Sequence, residues 1–165
     1  MIWNDQHMRI LNILLDDART SHDAIARMTG ISQDDVAKTI GEMEAEGVIA
    51  GYSALVNWEK TDVENVHAVI EVKVTPQRDM GFDAIASRIY KYDQVKSVYL
   101  MSGAYDLMLE VEARTLRELA SFVSQHLSTM ESVLSTATHF VLKKYKFEGR
   151  IMAAASGDSR LAVSP

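Results

Sequence analysis

Residues 22–40, HDAIARMTGISQDDVAKTI, constrain this chain more than any other stretch. Ile25 and Met28 mark one side of a short helix that ends at Gly30, a residue type that tolerates the left-handed conformation closing a helix. Ser32 then caps a second helix. Asp35 completes a capping-box-like pattern, and Val36, Ile40 and Met43 repeat at helical spacing. A preceding helix, with Asp5 as its cap and Met8, Leu11, Leu14 and Leu15 on its inner side, supplies a third member. Three short helices with a tight turn before the last predict a helix-turn-helix, a unit whose final helix can enter a DNA groove. Beyond Gly47, the residues Val48, Ile49, Tyr52, Leu55 and Val56 suit a strand or wing. Residues 5–56 are therefore expected to form a winged helix-turn-helix.

An αα-hairpin in an ordinary helical domain gives the same local pattern, so the rest of the chain has to decide. Residues 66–146 hold one unit twice. A strand alternates Ala68, Ile70, Val72 and Val74 against His67, Glu71 and Lys73. A helix keeps Phe82, Ile85, Ile89 and Tyr92 on one side, and residues 95–101 make the next strand. The second copy has Leu107, Leu109 and Val111 on a strand, Leu116, Leu119, Val123, Leu127 and Met130 on a helix, and a last strand over 133–146. Two such units predict an α+β fold, a ferredoxin-like βαββαβ sandwich with both helices on one face of the sheet. Val69, Tyr99, Met101, Met108 and Val141 then fall on the uncovered face, and an apolar uncovered face predicts self-association.

The winged helix-turn-helix is followed by EAEGVIAGYSALVN (residues 44–57), MSGAYDL (101–107) and TATHFVLKKYK (136–146). In this order and spacing the chain resembles the Lrp/AsnC, or feast/famine, transcription regulators over residues 5–146. The resemblance implies double-stranded DNA as partner of the N-terminal domain. It also implies a C-terminal sensing domain (a RAM or ACT-like domain) that dimerises and assembles to a tetramer or octamer, and an amino acid or related metabolite as effector. Domains are expected at 1–56 and 66–148, with a polar linker at 57–65 and a loose tail at 149–165, where small residues such as Ser156, Gly157, Asp158 and Ser159 show no period.

Charge complicates the DNA reading. The chain carries a formal net charge of -6, and phosphate contacts call for Lys and Arg. Residues 1–56 hold only Arg9, Arg19, Arg27 and Lys38 against nine Asp and Glu, a balance of -5. With Val36, Ile40 and Met43 turned inward, the outer arc of the last helix carries Asp34, Asp35, Lys38, Gly41 and Glu42. The family commonly places arginine where this chain has Thr39. Three arrangements accommodate this, in order of preference. Bases are read by Ser32, Gln33 and Thr39, with an aspartate such as Asp35 accepting from a cytosine amino group, while Arg19, Arg27 and the wing serve phosphates and Lys38 is the one cation on the DNA-facing arc. Or weak binding per dimer is raised by linking several dimers. Or DNA binding is lost and the chain docks to a protein partner as an amino-acid-sensing regulatory subunit.

Ser102, Gly103, Ala104, Tyr105 and Asp106 join the two halves of the sandwich. By residue type alone Gly-x-x-Asp here is a hairpin turn. The resemblance implies instead the border of the effector pocket, where dimers meet. Asp106 would pair with an α-ammonium group, Gly103 and Ala104 would offer backbone, and Tyr105 a wall. Thr136 and Thr138 share a face of the last strand and either line that pocket or reflect plain β-propensity.

Other chemistries find little support. The five histidines are scattered without metal-helix spacing, so no metal or other cofactor is expected. No nucleophile elbow or phosphate loop is present, and an enzyme is not expected. Lys143, Lys144 and Lys146 read as a solvated strand edge. The absence of cysteine excludes disulfides and thiol chemistry. No apolar run is long enough for a bilayer and the N-terminus does not read as a signal peptide, so a cytoplasmic location without membrane contact is expected.

Overall fold

The computed structural model describes residues 3–75 and 81–152. The chain divides into two compact units, Met1–Ala54 and Leu55–Pro165.

The first unit contains α1 (Asp5–Asp16), α2 (His22–Thr29) and α3 (Gln33–Ala45). Asn4, not the expected Asp5, caps α1. Its Oδ1 accepts the backbone N–H of His7 at 3.1 Å, and Asp5 moves into the first turn, where its charge faces the positive helix end. The inner stripe of α1 is His7, Ile10 and Leu14. Met8 and Leu15, expected inside, are exposed, Leu15 at 74%. Six apolar residues in the eight positions 8–15 outnumber what one helical face can bury, and register fixed by Ile10 leaves these two outside. Met28 is displaced likewise, since Ile25 and Thr29 take the buried side of α2.

Ser21 caps α2 and Gly30 ends it at φ 73°, with its N–H on the carbonyl of Ala26. Ser32 opens α3 as expected: its Oγ accepts from Asp35 N–H at 3.1 Å and donates to Asp35 Oδ2 at 2.6 Å. Arg9 Nη2 donates to the carbonyl of Thr29 at 2.8 Å, fastening α1 to the end of α2. Ile10, Leu14, Ile25, Val36, Ile40 and Met43 close the core.

Residues 48–56 make no β-ladder among the described residues. A strand needs a neighbour to take its backbone groups, and no strand lies among the described residues of this unit. Ile49 packs on the core and Tyr52 Oη donates to Glu44 Oε1 at 2.8 Å, so the segment is held by side chains instead.

In the second unit come β1 (Val66–Val74), α4 (Phe82–Ile89), β2 (Val95–Leu100), β3 (Leu107–Ala113), α5 (Leu116–Phe122) and β4 (Val133–Phe140). The sheet runs β2-β3-β1-β4, every pair antiparallel, the order expected for the sandwich. Ala68, Ile70 and Val72 of β1 and Leu107, Leu109 and Val111 of β3 are buried with Ile85, Ile89, Leu119, Phe122 and Leu127 from the helical layer. Each of the Val, Leu, Ile and Phe side chains among them contributes roughly 1.5–3 kcal/mol by leaving water. After α5 a π-turn, Val123–Leu127, brings His126 to 5.0 Å from the Tyr92 ring.

The opposite sheet face is mixed, where an apolar one was expected. Val69, Tyr99 and Met108 lie there by register, but His67 meets Glu112 at 3.2 Å, with Lys144 Nζ at 3.3 Å from the same His67 nitrogen. His139 and Glu71 stand 3.5 Å apart, and Ser97 donates to Glu110 at 2.8 Å. Alternation that gives every second β1 residue to the core leaves His67, Glu71 and Lys73 to this face too.

The last expected strand, 133–146, ends early. Its ladder stops at Phe140, and a short hairpin follows, β5 (Lys146–Phe147) and β6 (Arg150–Ile151). Its two turn residues, Glu148 and Gly149, have φ of 44° and 77°, the signs of a tight hairpin turn. Residues 149–152, read from sequence as the start of the tail, are thus held. Met152 N–H bonds the Tyr145 carbonyl, and Asn57 Nδ2 donates to the Met152 carbonyl. The expected loose stretch around Ser156 and Gly157 lies outside the described residues.

Candidate functional site

The outer arc of α3 presents Gln33, Asp34, Lys38, Gly41 and Glu42 to solvent. Thr39 does not join them: it is 8% exposed and belongs to the buried stripe with Val36, Ile40 and Met43. Spacing of three and four places it inward, so the reading of Thr39 as a base contact is corrected. Ser32 and Asp35 are exposed but already bonded to each other as the helix cap. Gly41 has open space where a side chain would stand, which leaves the backbone approachable on this face.

Cations around this surface are largely engaged. Lys38 Nζ lies 3.9 Å from Glu42 Oε1, and Arg27 pairs with Asp23 one helical turn away. Arg9 is committed to the Thr29 carbonyl. Arg19, in the turn between α1 and α2, is exposed, and its guanidinium has no partner among the described residues. Lys38 and Arg27 are exposed ion pairs of small net energy that a phosphate can displace.

A polar cleft of about 520 Å³ adjoins α3, lined among others by Asn4, Gln6, His7, Ser32, Lys38 and Glu42. Trp3 stacks on His7 there, ring centres 5.3 Å apart. Asn4 and His7 escaped the sequence reading. The signal available was Asn preceding a helix-period run by one residue.

In the second unit the turn at residues 102–106 is divided in character. Ser102, Gly103 and Ala104 are exposed, and Gly103 has φ 143°, a conformation that favours glycine. Tyr105 is half-buried with its hydroxyl 3.9 Å from Met108 Sδ. Asp106 is fastened on three sides. Its N–H donates to the Val72 carbonyl at 3.1 Å, its carbonyl accepts from Met101 N–H at 2.8 Å, and its Oδ2 accepts from Val74 N–H at 2.8 Å. It extends the β1–β3 ladder where β1 would otherwise leave a donor unpaired.

Thr136 and Thr138 lie opposite Val72 and Ile70 on β4, half-buried on the helix-bearing face. Strand β1 stands between them and Asp106, so within one chain the threonines and the turn are separate groups. Among the described residues, Tyr52 of the first unit is the group whose acidity shifts clearly. Burial first, then the Glu44 carboxylate, raises its pKa above the usual 10.0.

A helix-turn-helix unit followed by a separate α+β sandwich defines the class of DNA-binding regulators with a ligand-sensing domain. Residues 4–50 match the model for winged helix-turn-helix DNA-binding domains, and residues 67–151 match that for the Lrp/AsnC ligand binding domain. The chain belongs to the Lrp/AsnC family of transcriptional regulators. It is 46% identical, over all of both chains, to the uncharacterized HTH-type transcriptional regulator YugG of Bacillus subtilis. It is 30% identical to the leucine-responsive regulatory protein of Rhizobium meliloti, over 84% of this chain and 88% of that one. Among solved structures it shares its fold with E. coli AsnC, at TM-score 0.69, 21% identity, and 89% and 97% coverage of the two chains. The regulator NMB0573 of Neisseria meningitidis, solved in complex with L-Met, gives TM-score 0.71 at 21% identity, covering 88% and 94%.

Proposed function

We infer that this regulator responds to an amino acid or related metabolite bound where dimers meet around residues 102–106, and that the response changes how assembled dimers engage DNA. The likeness to a regulator solved with L-Met supports the effector class. The observation that carries the site is the split character of the turn: three exposed small residues beside an aspartate whose Oδ2 is occupied by Val74 N–H. The second carboxylate oxygen of Asp106 then serves an α-ammonium group. Thr136 and Thr138 contribute from a neighbouring chain or not at all, since β1 separates them from the turn within one chain.

On the DNA side, Gln33 and Lys38 face the bases, the Ser32–Asp35 cap presents the start of α3, and Arg19 and Arg27 meet phosphates. Homodimers assembling to a tetramer or octamer provide the avidity that so acidic a surface needs. The second reading, docking to a protein partner, is favoured by that acidity alone.

Salt-titrated binding to DNA from upstream of the protein's own gene, with and without mixed amino acids, tests both. Salt-sensitive, sequence-selective binding altered by one amino acid is expected. A folded oligomer that binds this DNA no better than random DNA at low salt would replace the regulator reading by the docking one. Asp106→Asn keeps an oxygen for Val74 N–H while removing the charge, so it is expected to lose the effector response yet stay folded. An unchanged response in that variant would remove Asp106 from the site.

A further inference from the structure

We propose that the second unit carries another small-molecule site, lined by residues other than those of the turn at 102–106 and built for an α-amino acid with an apolar side chain. Two adjoining open clefts, of about 540 and 660 Å³, share Trp58, Val63, Glu64, Asn65 and Arg114. The larger exposed apolar side chains of this region gather there: Trp58 is 41%, Val63 58% and Leu116 58% exposed, and all three line the first cleft. Leaving such groups together in water is unfavourable, and a ligand that covers them recovers that free energy.

Charge selects the ligand. Arg114 follows β3, and its backbone N–H donates to Glu118 Oε2 at 3.0 Å. Its guanidinium has no partner among the described residues, nor has the Glu64 carboxylate, although both line both clefts. The clefts are also lined by Glu59 in the first and Asp93, Lys96, Glu112 and Glu118 in the second. Glu118 holds the Arg114 N–H, Glu112 faces His67 and Lys144, and Lys96 bonds the Asp93 carbonyl. At the shared wall Arg114, Glu64, the Asn65 amide and the Trp58 indole are thus left to meet a zwitterion with an apolar body. The clefts fall within the size range of small-molecule sites. Trp58, Glu64 and Asn65 come from the segment that leads into β1. A ligand here therefore orders the stretch of chain that follows the helix-turn-helix unit in sequence.

The site stands apart from the reading of Asp106, and one experiment separates them. The chain has two tryptophans. In full-length Trp3→Phe protein Trp58 is the sole indole, and its fluorescence is followed during titration with L-leucine, L-methionine, L-phenylalanine and leucinamide. At least one of the three acids is expected to give a saturable change. Leucinamide, lacking the carboxylate, and Arg114→Gln should each weaken it about tenfold, the loss of one charge-assisted hydrogen-bonded pair. Glu64→Gln should weaken it similarly, while Asp106→Asn leaves it intact. No saturable change up to about ten times the millimolar range of weak ligands would overturn the proposal. So would a change that Asp106→Asn abolishes and Arg114→Gln and Glu64→Gln do not, since the signal would then originate at the turn.

Discussion

Arginine at two positions of the helix-turn-helix unit does two different things. Arg9 donates to the Thr29 carbonyl and closes the end of α2, whereas Arg19 projects unpaired from the α1–α2 turn. Arg9→Ala is expected to destabilise the first unit by about 1.5–3 kcal/mol, the usual worth of a charge-assisted hydrogen bond, and to leave the salt dependence of DNA binding unchanged. Arg19→Ala should do the reverse, lowering the slope of log affinity against log salt by about 1 with little effect on stability. Urea melts and salt titrations of both variants check the pair. Tyr52 adds a dependence on alkali. Its pKa is raised in the folded chain, so its contribution is fully present below the unfolded value near 10.0 and fades as pH rises through the higher folded value. Thermal melts across that window should show an alkaline loss that Tyr52→Phe flattens.

Within elements, what could be read beforehand followed from local rules, and what could not depended on neighbours. Ser32 with Asp35, and Gly30 at the end of α2, are satisfied by atoms three or four residues away, so residue type and spacing announced them. Alternation along β1 and β3 likewise fixed which residues reach the core. Thr39, Met8 and Leu15 misled because a helix offers a broad arc of plausible inner positions, and only the partner helix decides which are covered. Asp106 shows the same limit at the site. That it turns the chain was legible, but its bond to Val74 N–H, across thirty-two positions, arises from β1 and β3 pairing. The length of β4 was overestimated because residues 141–146 keep strand-like composition after the ladder ends at Phe140.

Across the molecule, two separate cores imply two unfolding events. Urea unfolding is expected to depart from a single transition, and Leu109→Ala should lower only the sandwich step, by about 2–5 kcal/mol. A matching shift of the helix-turn-helix signal would mean the units unfold together. The bond from Asn57 to Met152 has a consequence of another kind. It brings the entrance and the exit of the sandwich to a single point, the geometry of an interchangeable cassette. A gene permuted so that residue 152 runs through a short bridge into residue 57, with new ends opened elsewhere on its surface, should yield a sandwich that still folds, and the sensing half could be transplanted between loops of unrelated hosts without stretching either end.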